Sequence, residues 1–368
     1  MNAPDKVPFA NLALQWHQIR DKALPDMERL FEASAFCLGP WVERFEAAAA
    51  DYLGVSHAIA VNSGSSALHL AVIAAGIGPG DKVMVPAQTF IGTLWGLIYQ
   101  GAIPVLCDVE AGSATIDPAE IERRMEPGVK AVIPVHLFGQ PADLSPILEL
   151  AAKHNLTVIE DVAQAIAGRY RGRALGGIGQ MGCFSFYPGK NLGAAGEGGL
   201  ITTNDDAIAS RLRALRSHGQ YERYLHAETG YNYRMEGLQG LILGHKLPHL
   251  EAWTEERRAI ARRYQAGLAD LPIDLPKIVH GDHVWHLYVL RTPDRDRLRQ
   301  HMTEQGVETG LHYPVPIHRQ PCLSHLALDR DSYPEADRWA SQGLSLPVFA
   351  GMTVEQQDRV VAAVRSFF

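Results

Sequence analysis

Lys190 is the only charged residue between positions 182 and 196, in the stretch GCFSFYPGKNLGAAG. A solvated lysine usually sits among other charges, whereas this one follows an apolar run and a Pro188-Gly189 turn. Burial lowers a lysine's pKa and makes the neutral amine nucleophilic toward carbonyl carbon. The GAAGEGG that follows at 193–199 gives the backbone freedom to wrap around a ligand.

Two other places suit the same chemistry. Asp161 closes the apolar run TVIED at 157–161. In open α/β sheets ligands sit beyond the carboxyl ends of strands, where an acid can pair with a protonated ring nitrogen. An aspartate capping a helix has the same appearance in sequence. Gly64-Ser65-Ser66 follows the strand-like His57–Val61 and opens a helical pattern. Free N–H groups at a helix N-terminus hold phosphate, and small residues allow close approach, although a plain serine cap also fits. A phosphate cradle, a ring-nitrogen carboxylate and a Schiff-base lysine form the minimum set for pyridoxal 5′-phosphate (PLP), whose protonated ring is an electron sink.

The elements that position these residues alternate strand and helix. Strands are predicted over 57–61, 82–87, 104–109, 131–137 and 157–162, with helices over 65–76, 91–100, 118–126 and 144–154 between them. The strands are nearly continuous apolar runs, as expected for a mainly parallel sheet buried on both faces. Two further strands are predicted at 183–188 and 199–204, then a helix at 205–217 with Ile208, Leu212 and Leu215 on one stripe. A long polar helix is predicted at 245–271. The texture changes there, with a strand at 284–290, helices at 294–305 and 353–367, and the Pro-rich HYPVPIH at 312–318. We place a domain boundary near 245, giving a large α/β domain at 1–244, including an N-terminal arm, and a smaller α+β domain at 245–368.

Composition narrows the function. The 368 residues are 46% hydrophobic and 20% charged, as in an ordinary globular chain, with a net charge of −7. That balance gives no general attraction for nucleic acid or anionic membrane, so an anionic ligand needs a local site. The N-terminus lacks a signal pattern and no apolar run is long enough to span a bilayer, so no membrane role and a cytoplasmic location are expected. Cys37, Cys107, Cys183 and Cys322 form no CxxC pair, and the 16 histidines include no HExxH. Neither a disulfide framework nor a metal site is expected.

The chain resembles the nucleotide-sugar aminotransferases of the DegT/StrS type, within the fold-type I PLP enzymes. The resemblance rests on VNSGSSALHLAV (61–72), VPAQTFIGT (85–93), GAIPVLCDV (101–109), VIEDVAQA (158–165), FSFYPGKNLGAAGEGG (184–199), GYNYRMEGLQ (230–239) and TGLHYPVPIH (309–318). It implies a seven-stranded-type sheet sandwiched by helices, and a homodimer with shared active sites. By the same resemblance Lys190 carries the cofactor as a Schiff base and shuttles the proton, and Asp161 holds the pyridinium nitrogen. Gln164 lies near the ring hydroxyl, and Phe90 stacks on the ring. Gly64, Ser65 and Ser185 bind the phosphate, together with Asn232 from the second subunit. Tyr187, His312 and Tyr313 line the sugar pocket.

The implied reaction is transfer of an amino group, from glutamate, to a nucleotide-linked keto-6-deoxy sugar. HYPVPIHRQP (312–321) leans toward amination at C3, while Asn232-Tyr-Arg234 also suits C4-aminating relatives, and a cyclitol ketone is a further alternative. Val162 and Ile166 depart from the family's EDxAQxH pattern, which puts polar contacts there in doubt. Relatives that dehydrate sugars replace the lysine with histidine, so Lys190 argues against dehydration. A PLP-binding regulator without turnover and a lysine-based aldolase are the remaining alternatives.

Overall fold

The structure, a computed structural model, describes residues 6–326, 328 and 333–368. The first five residues of the expected N-terminal arm lie outside it. Two helices, α1 (Ala13–Glu32) and α2 (Pro40–Leu53), precede the first strand. Seven strands then form one sheet: β1 (His57–Val61), β2 (Lys82–Pro86), β3 (Ile103–Cys107), β4 (Val129–Val132), β5 (Thr157–Asp161), β6 (Met181–Ser185) and β7 (Gly199–Thr203). The helices between and after them are α3 (Gly64–Ala74), α4 (Gly92–Tyr99), α5 (Pro118–Arg123), α6 (Leu144–His154) and α7 (Asp206–Leu215).

The strand order is β1-β7-β6-β5-β4-β2-β3. Only β7 runs against its neighbours, and every other pairing in the sheet is parallel. The carboxyl ends of β1, β2, β5 and β6 therefore open on one edge, as the alternating pattern requires. Register tightens this convergence. Gly199 on β7 pairs with Val61 on one side and Ser185 on the other, and Asp161 pairs with Cys183. A Cβ on Gly199 would lie 2.3 Å from the Ser63 carbonyl oxygen, so only glycine lets the turn after β1 close over β7.

Helices cover both faces. The largest core joins α3, α4 and α7 to β1, β2 and β6 through Leu70, Leu94, Leu212, Ile59 and Val85. On the other side α2 packs Phe45 against Phe186, with ring centroids 5.4 Å apart. Val162 and Ile166 are buried in this second core among apolar side chains. The helix α8 (Gly237–Lys246) lies against α1 through Leu241, Ile242, Ile19, Ala23 and Leu30.

A separate core gathers α9 (Leu250–Leu268), α10 (Arg295–Glu304), α12 (Val354–Arg365) and a two-stranded sheet of β8 (Tyr288–Arg291) and β9 (Gly343–Leu346). The remaining helix, α11 (Pro334–Gln342), sets Trp339 on Phe138.

Three expectations change. The strand expected at 131–137 spans Val129–Val132, ending before Pro134, which has no N–H to give a sheet. The helix expected at 245–271 begins at Leu250, because Pro248 lies in a 3-10 turn at Leu247–His249 that separates it from α8. The strand expected at 284–290 begins at Tyr288, because Trp285 adopts φ 49°, outside the extended region.

Candidate active site

A cavity of about 690 Å³ opens at the carboxyl edge of the sheet, within the range for small-molecule sites. Lys190, Asp161, Gly64, Ser65, Phe90, Gln164, Ser185, Tyr187, His312 and Tyr313 all line it, so ten of the eleven residues named from the sequence share one site. The eleventh, Asn232, is exposed and does not line this cavity. Its carbonyl accepts from the Asn62 amide at 3.4 Å.

Lys190 is presented by a tight turn in which its backbone N–H donates to the Tyr187 carbonyl at 2.8 Å, across Pro188 and Gly189. The next residues are fixed from several sides. Asn191 donates to the Val284 carbonyl at 3.0 Å, Lys246 to the Gly193 carbonyl at 2.7 Å, and the Ala195 N–H to Gln239 Oε1 at 2.9 Å. The Lys190 side chain faces the cavity. Burial lowers its pKa to about 8, against the opposing pull of the Asp161 charge. About a tenth of the amine is thus neutral at pH 7, against well under a thousandth for an ordinary lysine.

Asp161 and its neighbour Glu160 point to opposite faces of β5, and their surroundings differ. Glu160 is satisfied by the N–H groups of Gly176, Ile178 and Gly179 and by His136, which hold it ionised despite full burial. Asp161 receives only the Ala163 N–H at 3.1 Å and the Thr93 hydroxyl at 2.8 Å. Burial raises its pKa, and no cation lies within ion-pair distance among the described residues. A buried carboxylate facing a cavity under these conditions suits a cationic ring nitrogen.

The turn into α3 has the chemistry of an anion site. Ser63 caps the helix by accepting from the Ser66 N–H at 3.1 Å, and its carbonyl accepts from Ala67 N–H. The N–H groups of Gly64 and Ser65 are left without partners in the helix. A Cβ on Gly64 would sit 2.7 Å from Ser185 Cβ, so glycine brings this helix end against Ser185 and completes the cradle. The Gly64-Ser65 helix end, Asp161 and Lys190 line one cavity, and their chemistry suits the phosphate, ring nitrogen and aldehyde of PLP.

The remaining wall is aromatic and polar. Phe90 tilts toward Tyr313, with centroids 5.4 Å apart. Gln164 accepts from the Phe138 N–H at 2.6 Å and donates to the Tyr313 hydroxyl at 2.9 Å. It thereby secures Phe138, which holds φ 61°. His312 pairs with the Ser345 hydroxyl at 2.8 Å and lies under Phe9 at 5.7 Å. Burial and the Lys190 charge lower its pKa to about 4, so it is neutral at pH 7.

Further lining residues went unnamed in the sequence, Thr93, His286, Phe9 and Arg257 among them. Thr93 stood inside a quoted motif, one helical turn from Thr89, to which it is hydrogen-bonded at 2.9 Å. His286 stood in the strand-like VWHLYVL. Phe9 and Arg257 gave no local signal. Among the described residues no cluster of histidine, cysteine or acidic side chains could hold a metal ion, and no helix is long and apolar enough to cross a membrane.

Residues 17–365 match the profile of the DegT/DnrJ/EryC1/StrS aminotransferase family. The chain is 42% identical over 366 residues to a pleiotropic regulatory protein of Geobacillus stearothermophilus, covering 98% of each. It is 42% identical over 364 residues to a dTDP-3-amino-3,4,6-trideoxy-alpha-D-glucose transaminase of Streptomyces venezuelae, covering 98% of this chain and 96% of that protein. Its fold superimposes with a TM-score of 0.96 on the crystal structure of S. venezuelae DesV in complex with a ketimine intermediate, at 42% identity and 98% coverage of each. The chain belongs to the DegT/DnrJ/EryC1/StrS aminotransferase family and is an aminotransferase that uses PLP.

Proposed function

We propose that this enzyme transfers the amino group of L-glutamate to C3 of a nucleotide-linked 3-keto-6-deoxy sugar, and that it acts in the cytoplasm as a homodimer. The observation that carries the reading is the convergence of Lys190, Asp161 and the Gly64-Ser65 helix end in one cavity. The choice of C3 is supported by the transaminase name of the S. venezuelae relative and by HYPVPIHRQP at 312–321. The unpaired cysteines suit a reducing compartment.

Bound PLP supplies an aldehyde for the amine and a cationic ring that absorbs the electrons of the carbon losing a proton. The chain's own groups do the rest. Lys190, with its pKa near 8, provides a neutral amine to hold the cofactor. Once displaced, it carries the proton away from the donor's Cα. Asp161 keeps the proton on the ring nitrogen. Gly64, Ser65 and Ser185 would hold the phosphate, and Phe90 would stack on the ring. Gln164 would offer its amide to the ring hydroxyl. Tyr187, His312 and Tyr313 receive the sugar, with His312 neutral and able to accept from a hydroxyl. Asn232 of the partner subunit completes the phosphate site. Its exposure and its position outside this chain's own cavity support that assignment.

The test is a panel of nucleotide-linked 3-keto and 4-keto sugars supplied to glutamate-loaded enzyme, with the product amine located by NMR. Amination at C3 is expected. Amination at C4, which the Asn232-Tyr-Arg234 motif also suits, overturns the regiochemistry. Mixing Lys190→Ala chains with Asn232→Ala chains tests the shared site. Activity returns in the mixture if each site draws on both chains, and stays absent if it does not.

A further inference from the structure

One cation in the cavity makes no ion pair among the described residues and feels only the more distant charge of Glu256. Arg257 lies on α9, is 5% exposed and lines the cavity. Its Nη1 donates to three carbonyls: Val348 at 2.7 Å, Trp285 at 3.1 Å and His286 at 3.4 Å. This clip explains one nitrogen of three. Nε is sealed from water with no acceptor, and Nη2 has no partner among the described residues. No carboxylate of the described residues lies within ion-pair distance. Burial lowers the guanidinium's pKa to about 10, so it stays charged at neutral pH. A buried cation without an anion is costly, and such a group persists where a ligand brings the missing charge.

The rest of the wall narrows the choice of anion. Lys190 and Arg257 are the only lysine or arginine among the residues lining the cavity. Lys190 is committed to the cofactor, and the cofactor's phosphate has its own cradle at the start of α3. His312 and His286 are both neutral, because burial and the Lys190 charge depress their pKa values. Arg257 adjoins His286 through that residue's carbonyl, and His286 in turn feels the Lys190 charge. An anion at Arg257 thus lies in the same cavity as the reacting amine. The sugar's diphosphate is separated from its keto carbon by the ring, whereas an amino acid carries a carboxylate on the carbon that bears the amine.

We propose that Arg257 is the anchor for a carboxylate of the amino donor, engaged in the donor half of the reaction and idle in the sugar half. This rests on the glutamate-donor reading above. Arg257→Lys and Arg257→Gln test it in three measurements on cofactor-loaded protein. The glutamate concentration that half-converts the visible absorbance rises roughly 10- to 100-fold in the variants, the loss expected for a charge-assisted hydrogen bond. The amine-loaded variants react with keto-sugar at the wild-type rate. Glutarate, a dicarboxylate without an amine, binds the wild type by calorimetry and fails to bind the variants.

Unchanged glutarate binding by the variants, or equal loss in both half-reactions, overturns the proposal in favour of a purely structural clip. Displacement of glutarate by a nucleoside diphosphate alone overturns it in favour of a diphosphate site. If the variants do not fold, phenylglyoxal labelling of the wild type decides: glutarate shields Arg257 in peptide mass spectra, and absence of shielding overturns the assignment. Glutarate binding through Arg257 in a wild type whose spectrum ignores glutamate supports the anchor and removes glutamate as the donor.

Discussion

The Thr93 hydroxyl donates to the Asp161 carboxylate over 2.8 Å, and among the described residues it is the only side chain to do so. Thr93 sits in the first turn of α4 and Asp161 ends β5, so this bond ties two crossover units at the floor of the site. The hydroxyl also favours the ionised carboxylate, working against the burial that raises its pKa. Thr93→Val keeps the shape and removes the donor. The expected result is a kcat lowered about 10-fold, the worth of one hydrogen bond to a charged group. The acid limb of the pH–rate profile moves to higher pH, because Asp161 then takes up its proton sooner as pH falls. An unmoved limb shows that Thr93 does not tune this carboxylate.

Asp161→Asn separates chemistry from stability. Asparagine keeps the size, its Oδ1 can accept from the Ala163 N–H and its Nδ2 can donate to the Thr93 hydroxyl, but it cannot hold a pyridinium proton. Transfer is expected to slow by at least about 10²-fold, as when a preorganised electrostatic partner is lost. The cofactor-free protein is expected to melt no lower than wild type, since a buried carboxylate without a cation costs stability. Calorimetry of the apo-proteins and half-reaction kinetics check the two statements independently.

Lys190 titrates where the experiment is convenient. Its folded pKa of about 8 means that apo-protein below that pH carries mostly the unreactive ammonium. The rate of PLP capture is expected to climb about tenfold per pH unit up to pH 8 and then level off. Borohydride reduction of the loaded protein fixes a pyridoxyl group on Lys190 in peptide mass spectra, and Lys190→Ala protein carries none. A capture rate that still climbs above pH 9 shows an amine with an ordinary pKa.

Gly64→Ala tests the cradle. The added methyl would stand 2.7 Å from Ser185 Cβ, so α3 must retreat from β6. Overpacking of this kind costs about 1–3 kcal/mol, which corresponds to PLP binding weakened roughly 5- to 100-fold. Absorbance titration of the apo-protein measures it. Wild-type affinity would show that the helix end does not hold the phosphate.

What could be read from sequence follows from how local each signal is. Lys190 was legible because an isolated charge in an uncharged glycine-rich stretch has no solvation role, and Asp161 because it ends an apolar strand. The strands and helices from 57 to 217 were legible because their apolar runs alternate with punctuated amphipathic stretches. Arg257 was not: it stands in TEERRAIARRY among other charges, and only the phase of α9 against residues 285 and 348 turns it inward. The helices α1 and α2 were missed for a related reason. Pro25 interrupts the first, and its buried face begins with Gln15, so the apolar period is broken at the sequence level.

Lys246 offers the last prediction, and its sign can be worked through. The residue is 7% exposed, in a pocket lined by Leu12, Trp16, Met27, Leu238 and Ile242, and donates to the Gly193 carbonyl beyond the Lys190 turn. Burial lowers its pKa to about 8, well below the value in an unfolded chain. Between those two values the unfolded chain holds more protons than the folded one, so stability increases with pH across the interval. The gain is absent below pH 8, complete above the unfolded pKa, and amounts to at most about 3 kcal/mol. Lys190 titrates in the same window, so the comparison belongs in a Lys190→Ala background. Lys246→Met is expected to flatten the rise in melting temperature between pH 8 and 10 and to be at least as stable as its parent at pH 7, because methionine suits the apolar pocket. Without the Gly193 clip the loop after residue 190 is less firmly held, so PLP binds the Lys246→Met single variant more weakly. An identical pH slope in the two proteins would mean that the Lys246 ammonium is solvated, and the clip would then be a surface contact.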